Sequence, residues 1–143
     1  MRHRCVGVLA VLGLLGPLAA AGSVRSQAPA SFTGSQVRAG EETYRDVCAS
    51  CHKIDLGGNF EAPQLAGSDF LSLWGRSPAS ELFAYIKAAM PPAGRKLDNE
   101  ALTNIVTYIL HRNGMRADGI PFESTEDGVI APVHPEDAGA VPR

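Results

Sequence analysis

The stretch Cys48-Ala49-Ser50-Cys51-His52 decides how the rest of this sequence is interpreted. In one turn of helix, two cysteines three positions apart lie on the same face, and the histidine follows at once. This is the pattern of c-type haem attachment, in which each thiol forms a thioether to a vinyl group of the haem. The histidine is then carried beneath the ring, where it can ligate the iron. We therefore expect one covalent haem c, bound by Cys48, Cys51 and His52.

Two other kinds of site also use a Cys-x-x-Cys pair. A thioredoxin-like redox pair requires a surrounding βαβ unit, and a zinc site requires a second pair of ligands at a suitable spacing. Neither is indicated, because His111 and His134 are isolated and no cysteine follows Cys51. The pattern favours haem over both alternatives.

The N-terminus has the pattern of an export signal. Three basic residues at positions 2–4 precede an uncharged apolar stretch over residues 6–21, and small residues suitable for cleavage follow up to Ala28. The stretch is short for a bilayer span of about 20 residues. We predict a signal peptide over residues 1–28, cleaved between about 21 and 28, and a periplasmic location. The alternative is an uncleaved signal that anchors the protein in the membrane.

Charge restricts the partners and the domain boundaries. The chain has 13 Lys and Arg against 15 Asp and Glu, and cleavage would remove three arginines, so the mature protein is acidic and nucleic acid is not an expected partner. Several of the acidic residues lie in a proline-containing C-terminal stretch, which predicts a solvated, extended tail. We therefore expect a linker over 29–34, a domain over 35–115 and a tail over 116–143.

Apolar periodicity predicts three helices. Residues 53–74 show neither helical nor strand periodicity, and they contain several glycines and a proline, so a loop is expected there. The predicted helices cover residues 36–47 with Ser35 as N-cap, residues 78–89 with Ser77 as N-cap, and residues 98–112 with Asn113 and Gly114 as the stop.

Met90 is the candidate for the sixth iron ligand. Pro91 and Pro92 follow it, so the helix ends there and Met90 is restricted to extended geometry. A buried methionine is by default a core residue. There are few rivals, however, because Met1 belongs to the signal and Met115 lies beyond a helix end.

Two residues of the expected loop are further candidates for contact with the haem or its ligand. A metal-bound imidazole usually donates its other N–H to a carbonyl group, and the rigid carbonyl of Pro63 would suit this role. Trp74, together with Arg76, is a candidate for binding the haem propionates. A turn proline, a core tryptophan and a surface arginine are the alternatives.

From Gly34 to Gly114 the sequence resembles the class I cytochromes c. In that family the helix leading into the haem motif crosses a C-terminal helix, and the contact residues of the crossing look like Gly40, Tyr44, Ile105 and Tyr108. The segment 62–67 is similar to the family's loop whose proline carbonyl accepts a hydrogen bond from the haem histidine. The resemblance implies a small all-α class I cytochrome c fold with three to four helices around one haem.

Some features are similar to a narrower group, the small cytochrome c subunits and domains of quinoprotein (PQQ-dependent) alcohol dehydrogenases. They are the run 82–86 before Met90, the run 105–110 before the Asn113-Gly114 turn, and the aromatics Phe70 and Trp74. This resemblance implies a periplasmic dehydrogenase as electron donor and an oxidase or membrane cytochrome complex as acceptor. The sequence after Met115 departs from the group.

A haem iron with both histidine and methionine bound has no open coordination position, which predicts an electron carrier and not an enzyme. Two alternatives stay open. The protein could be a tightly bound haem subunit of a quinoprotein dehydrogenase complex. If Met90 were not bound, a five-coordinate haem could support peroxidase-like chemistry, although no distal pair of arginine and histidine is evident in the sequence.

Overall fold

A computed structural model describes residues 28–94, 96–125 and 128–130 of the chain. The predicted signal peptide, apart from Ala28, and the end of the predicted tail lie outside the described residues. Over those ranges the chain forms helices and no strand, which confirms the predicted all-α fold. None of these helices combines the length and apolarity that crossing a membrane requires.

Five helices are present in the described part of the chain, where three to four were expected. The haem motif itself forms a single helical turn, and a short helix lies within the stretch that was wrongly predicted to be loop. That helix has only seven residues, too few for a helical period to emerge from the sequence. The helices are α1 (Gly34–Val47), α2 (Ala49–His52), α3 (Ser68–Trp74), α4 (Ala79–Ala89) and α5 (Asn99–Arg112).

Both predicted N-caps, Ser35 and Ser77, are wrong. Asp98 caps α5, accepting a hydrogen bond from the Ala101 amide at 2.8 Å. Thr33, not Ser35, caps α1, because Thr33 and Gln36 exchange hydrogen bonds between side chain and backbone in a capping box. At α4, Ser77 makes no cap, and Pro78 stands at the cap position with extended backbone.

The core is organised around a close crossing of α1 and α5. A Cβ on Gly40 would collide with the backbone carbonyl of Asn104, so only glycine allows the two helices this approach. One turn further along, the rings of Tyr44 and Tyr108 pack with their centroids 5.2 Å apart. The crossing therefore fixes the end of α1, which leads directly into the haem motif.

Gly40→Ala is expected to destabilise the protein. Overpacking at the crossing should outweigh the better helix propensity of alanine and lower the free energy of unfolding by about 1–3 kcal/mol. Urea unfolding of the haem-loaded protein would measure this. Gly34→Ala is the control, because a Cβ there meets only the Arg38 side chain at an ordinary 3.6 Å. Equal losses in both variants would contradict a tight crossing.

Residues 116–125 and 128–130, here called the return segment, pack against the N-terminal side of the domain. The Phe122 ring is 1% exposed. Its backbone amide and carbonyl both bond to the Gln36 side chain, at 2.9 and 3.1 Å. Asp118 accepts hydrogen bonds from the Ser31 side chain and from the amides of Ile120 and Phe32, and these bonds lower its pKa. This part of the expected tail is thus non-helical but packed.

The end of the return segment joins two parts of the chain. The Val129 amide donates to the Ala28 carbonyl at 3.0 Å, and the Ala30 amide donates back to Val129 at 3.1 Å. On its other side, the Ile130 amide donates to Ser77 at 3.1 Å. The Ala79 amide donates to the Gly128 carbonyl at 2.9 Å. The start of α4 and the chain before α1 are therefore tied together through this segment.

Phe122→Ala should reduce the free energy of unfolding by about 3–5 kcal/mol, because it removes a fully buried aromatic ring. Ile120→Ala provides a control in the same segment, since that side chain is 60% exposed and its loss should cost less than about 0.5 kcal/mol. Chemical denaturation would distinguish them. If the return segment were not packed in solution, neither substitution would lower the free energy of unfolding appreciably.

Candidate haem-binding site

A cavity of about 940 Å³ lies between the haem motif and the helices α3, α4 and α5. This volume is near the upper end of the roughly 300–1,000 Å³ typical of ligand and cofactor sites. Much of its wall is apolar, with side chains such as Phe70, Leu82, Ile86 and Ile105. Six of the site residues predicted from the sequence line it, namely Cys48, Cys51, His52, Pro63, Trp74 and Met90.

The two cysteines occupy one turn at the end of α1. The Cys48 amide donates to the Tyr44 carbonyl, and the His52 amide donates to the Cys48 carbonyl, so the motif continues the helical path. Cys48 is half-buried and Cys51 exposed, and no disulfide joins them. Burial, together with the neighbouring Cys51, raises the pKa of the Cys48 thiol to about 11. This is opposite to the lowered pKa of a reactive redox pair.

His52 is oriented by the motif loop, residues 53–67. Its imidazole Nδ1 lies 2.8 Å from the Pro63 carbonyl oxygen. A carbonyl can only accept, so Nδ1 is the donor of this hydrogen bond and Nε2 is the ring nitrogen left to bind a metal. His52 is buried, at 8% exposed. The arrangement suits an imidazole that binds metal through Nε2 and places Pro63 where the sequence analysis expected it.

The motif loop is held against the haem motif by an asparagine that the sequence analysis missed. The Asn59 side-chain amide donates to the Cys51 carbonyl at 3.0 Å. Its oxygen accepts from the amides of Glu61 and Ala62, at 2.8 and 2.9 Å. The only sequence signal was an asparagine following two glycines, which is common in turns of many kinds.

Asn113, expected only to end α5, also anchors this loop. Its side-chain oxygen accepts from the Gly67 amide at 3.0 Å. Its nitrogen donates to the carbonyls of Leu65 and Ile109, at 2.9 and 2.8 Å. The far end of the motif loop is thereby fixed to the C-terminal helix.

Met90 ends α4 with extended backbone, φ −120° and ψ 147°, as Pro91 requires. Its side chain is partly buried against the core and lines the same cavity as His52. The other methionine of the described residues, Met115, is buried at 8% exposed and does not line this cavity. The structure thus brings one thioether, and not the other, to the wall that carries His52.

Of the two candidates for binding the haem propionates, Trp74 lies at the cavity and Arg76 does not. Trp74 lines the cavity, and its ring packs on Tyr85 with centroids 5.5 Å apart. Arg76 is exposed and is not part of the cavity wall. Among the described residues, no group of three or more His, Cys, Asp and Glu side chains is arranged to hold a metal ion.

The all-α fold, the Cys-x-x-Cys-His turn and the cavity beside it define a cytochrome c domain. The family model described as "Cytochrome C oxidase, cbb3-type, subunit III" matches residues 35–109, slightly more than half of the chain. The chain therefore belongs to this family of cytochrome c domains. No curated protein and no solved structure matched it.

Family membership has two consequences for the site. The protein is a haem electron-transfer protein, and its cofactor is haem c. The matched span contains the haem motif, Pro63 and Met90, and the return segment lies outside it.

Gly58→Ala is expected to disturb the support of His52. Gly58 has φ +65°, and a Cβ there would lie 2.5 Å from the backbone of Ala62, Pro63 and Gln64. Left-handed strain and this clash should together lower the free energy of unfolding by at least about 2 kcal/mol. Thermal unfolding of the haem-loaded protein would measure the change.

Gly57→Ala is the matched control for that substitution. Gly57 is exposed, and a Cβ there meets only the Asp55 side chain, which can move. Its effect should be within about 0.5 kcal/mol. If Gly58→Ala were as stable as this control, the motif loop would not have the tight backbone approach described above.

Proposed function

We propose that the protein is a periplasmic one-electron carrier with a single haem c, attached through Cys48 and Cys51 and ligated by His52 and Met90. The observation that carries the proposal is the presence of all four side chains in the wall of one apolar cavity. The chain contains one Cys-x-x-Cys-His motif, which supports a single haem. Bound haem iron supplies one-electron chemistry by cycling between its ferric and ferrous states.

The protein groups set the properties of that centre. The thioether of Met90 would raise the reduction potential, and apolar side chains around the ring would act in the same direction by excluding water. The hydrogen bond from His52 to Pro63 would oppose them by making the imidazole a stronger donor. Both ligands are attached to packed helices, so little movement need accompany electron transfer.

The location and partners follow from the sequence features. The export pattern over residues 1–28 supports the periplasm. The resemblance of 82–86 and 105–110 to cytochromes of quinoprotein dehydrogenases supports a periplasmic dehydrogenase as donor. An oxidase or membrane cytochrome complex would be the acceptor.

A second candidate is a fixed haem subunit of an oxidoreductase complex. It is favoured by the matching family, whose description is that of an oxidase subunit. Size-exclusion chromatography of the protein from its native membrane and periplasmic fractions distinguishes the candidates. A carrier elutes as a small protein, whereas a subunit elutes with a large complex.

Met90→Ala tests the ligand assignment. The wild-type ferric protein should show the weak far-red band of methionine sulfur on haem iron, and the variant should lose it. Its reduction potential should fall by a sizeable part of the roughly 0.8 V range that axial ligands span. Optical spectroscopy and redox titration measure both effects.

Met115→Leu is the control for this experiment, because Met115 is buried outside the cavity wall. It should keep both the band and the potential. A high-spin ferric wild-type protein that binds cyanide or peroxide quickly would overturn the electron-carrier proposal in favour of peroxidase-like chemistry.

A further inference from the structure

Tyr44 is a fully buried phenol in the cavity wall, at 0% exposed. Its ring packs on Tyr108 at the crossing of α1 and α5. An aromatic ring alone would satisfy that packing. The hydroxyl group needs a separate reason, because a buried Tyr O–H requires a hydrogen-bond partner.

The partner of this hydroxyl is the backbone carbonyl of Lys53, at 2.8 Å. Lys53 directly follows His52 and has φ 61° and ψ 159°, a conformation that residues other than glycine rarely adopt. Such strain persists only where the surroundings hold it in place. The Tyr44 hydroxyl is one of the groups that hold it.

The Lys53 peptide is the start of a hydrogen-bonded turn. Its carbonyl also accepts from the Leu56 amide at 3.2 Å, and the His52 carbonyl accepts from the Gly58 amide at 3.0 Å. The Leu56 carbonyl in turn accepts from the Leu65 amide at 2.8 Å. The turn is therefore coupled to the segment of the motif loop that presents the Pro63 carbonyl to His52.

The Tyr44 hydroxyl acts as a donor under all ordinary conditions. Burial is the main cause that raises the pKa of Tyr44 far above its usual value. The phenol therefore stays protonated at physiological pH. Its bond to Lys53 is a constant feature of the fold.

We infer that the Tyr44 hydroxyl is a positioning group for His52, holding the strained Lys53 peptide so that the motif loop keeps the Pro63 carbonyl on Nδ1. The inference rests on the proposed role of His52 as an iron ligand. A firmly held carbonyl makes the imidazole a stronger donor and favours ferric iron. Tyr44 thus lowers the reduction potential without touching the histidine ring.

Tyr44→Phe tests this inference, because it keeps the ring and removes only the hydroxyl. The reduction potential should rise relative to wild type. NMR would measure how fast the His52 Nδ1 proton exchanges with solvent, and this exchange should accelerate by about fivefold. Losing one buried neutral hydrogen bond should favour the opening of the loop by about that factor. The far-red methionine band should persist.

Tyr108→Phe is the matched control. It removes the hydroxyl from the other ring of the same pair, where the phenol oxygen accepts from Arg112 at 3.0 Å and has no bond to the haem motif. It should reduce stability to a similar extent, yet leave the reduction potential and the Nδ1 exchange rate at their wild-type values. If removing a hydroxyl simply loosened the crossing of α1 and α5, the reduction potential and the exchange rate would change equally in both variants.

Lys53→Gly provides a second, independent test, because glycine adopts the observed backbone conformation without strain. In the Lys53→Gly background, Tyr44→Phe should shift the potential less than it does in wild type. The inference is overturned if Tyr44→Phe leaves both the potential and the exchange rate unchanged, or if Tyr108→Phe shifts them equally. Failure of the proposed function would be seen separately, as the absence of the methionine band in the wild-type protein.

Discussion

The close approach of α1 to α5 at Gly40 is the contact on which the rest of the structure depends. It fixes the end of α1, from which the haem motif continues directly, against a helix whose residues Ile105 and Ile109 line the cavity. Asn113, the C-cap residue of the same helix, bonds to the motif loop and holds it in place. One interhelical contact thus relates the covalent attachment point, the cavity wall and the loop that orients the histidine.

The second principle of the site is that irregular backbone is made rigid by hydrogen bonds. The motif loop has no regular secondary structure before α3, yet Tyr44, Asn59 and Asn113 bond to its backbone or to the haem motif beside it. Among the described residues, no buried side-chain nitrogen or oxygen is left without a partner. A loop whose backbone is held by hydrogen bonds in this way can keep one carbonyl group against one imidazole nitrogen.

The helix that carries Met90 is held from two directions. It packs against α5 on one side, and its first turn is bonded to the return segment, which lies outside the span that matches the family. Phe122 and Ile130 bury apolar surface that a domain ending at 115 would leave without cover. The start of α4 is therefore supported by residues that lie outside the span matched to the family.

The sequence by itself determined the features that depend on neighbouring residues. The haem motif, the all-α class, the start of the last helix near Asp98 and the extended Met90 before two prolines are all local, since spacing within one turn or a proline ring is enough to specify them. The Thr33 cap is also local, because it is a capping box with Gln36 three residues later, but the sequence analysis overlooked it. Only the tertiary structure decided the short helix α3, the packed return segment and the bond from Tyr44 to Lys53. These depend on which distant segments meet, and neither helical periodicity nor a local motif encodes a contact between residues that come together only when the chain has folded.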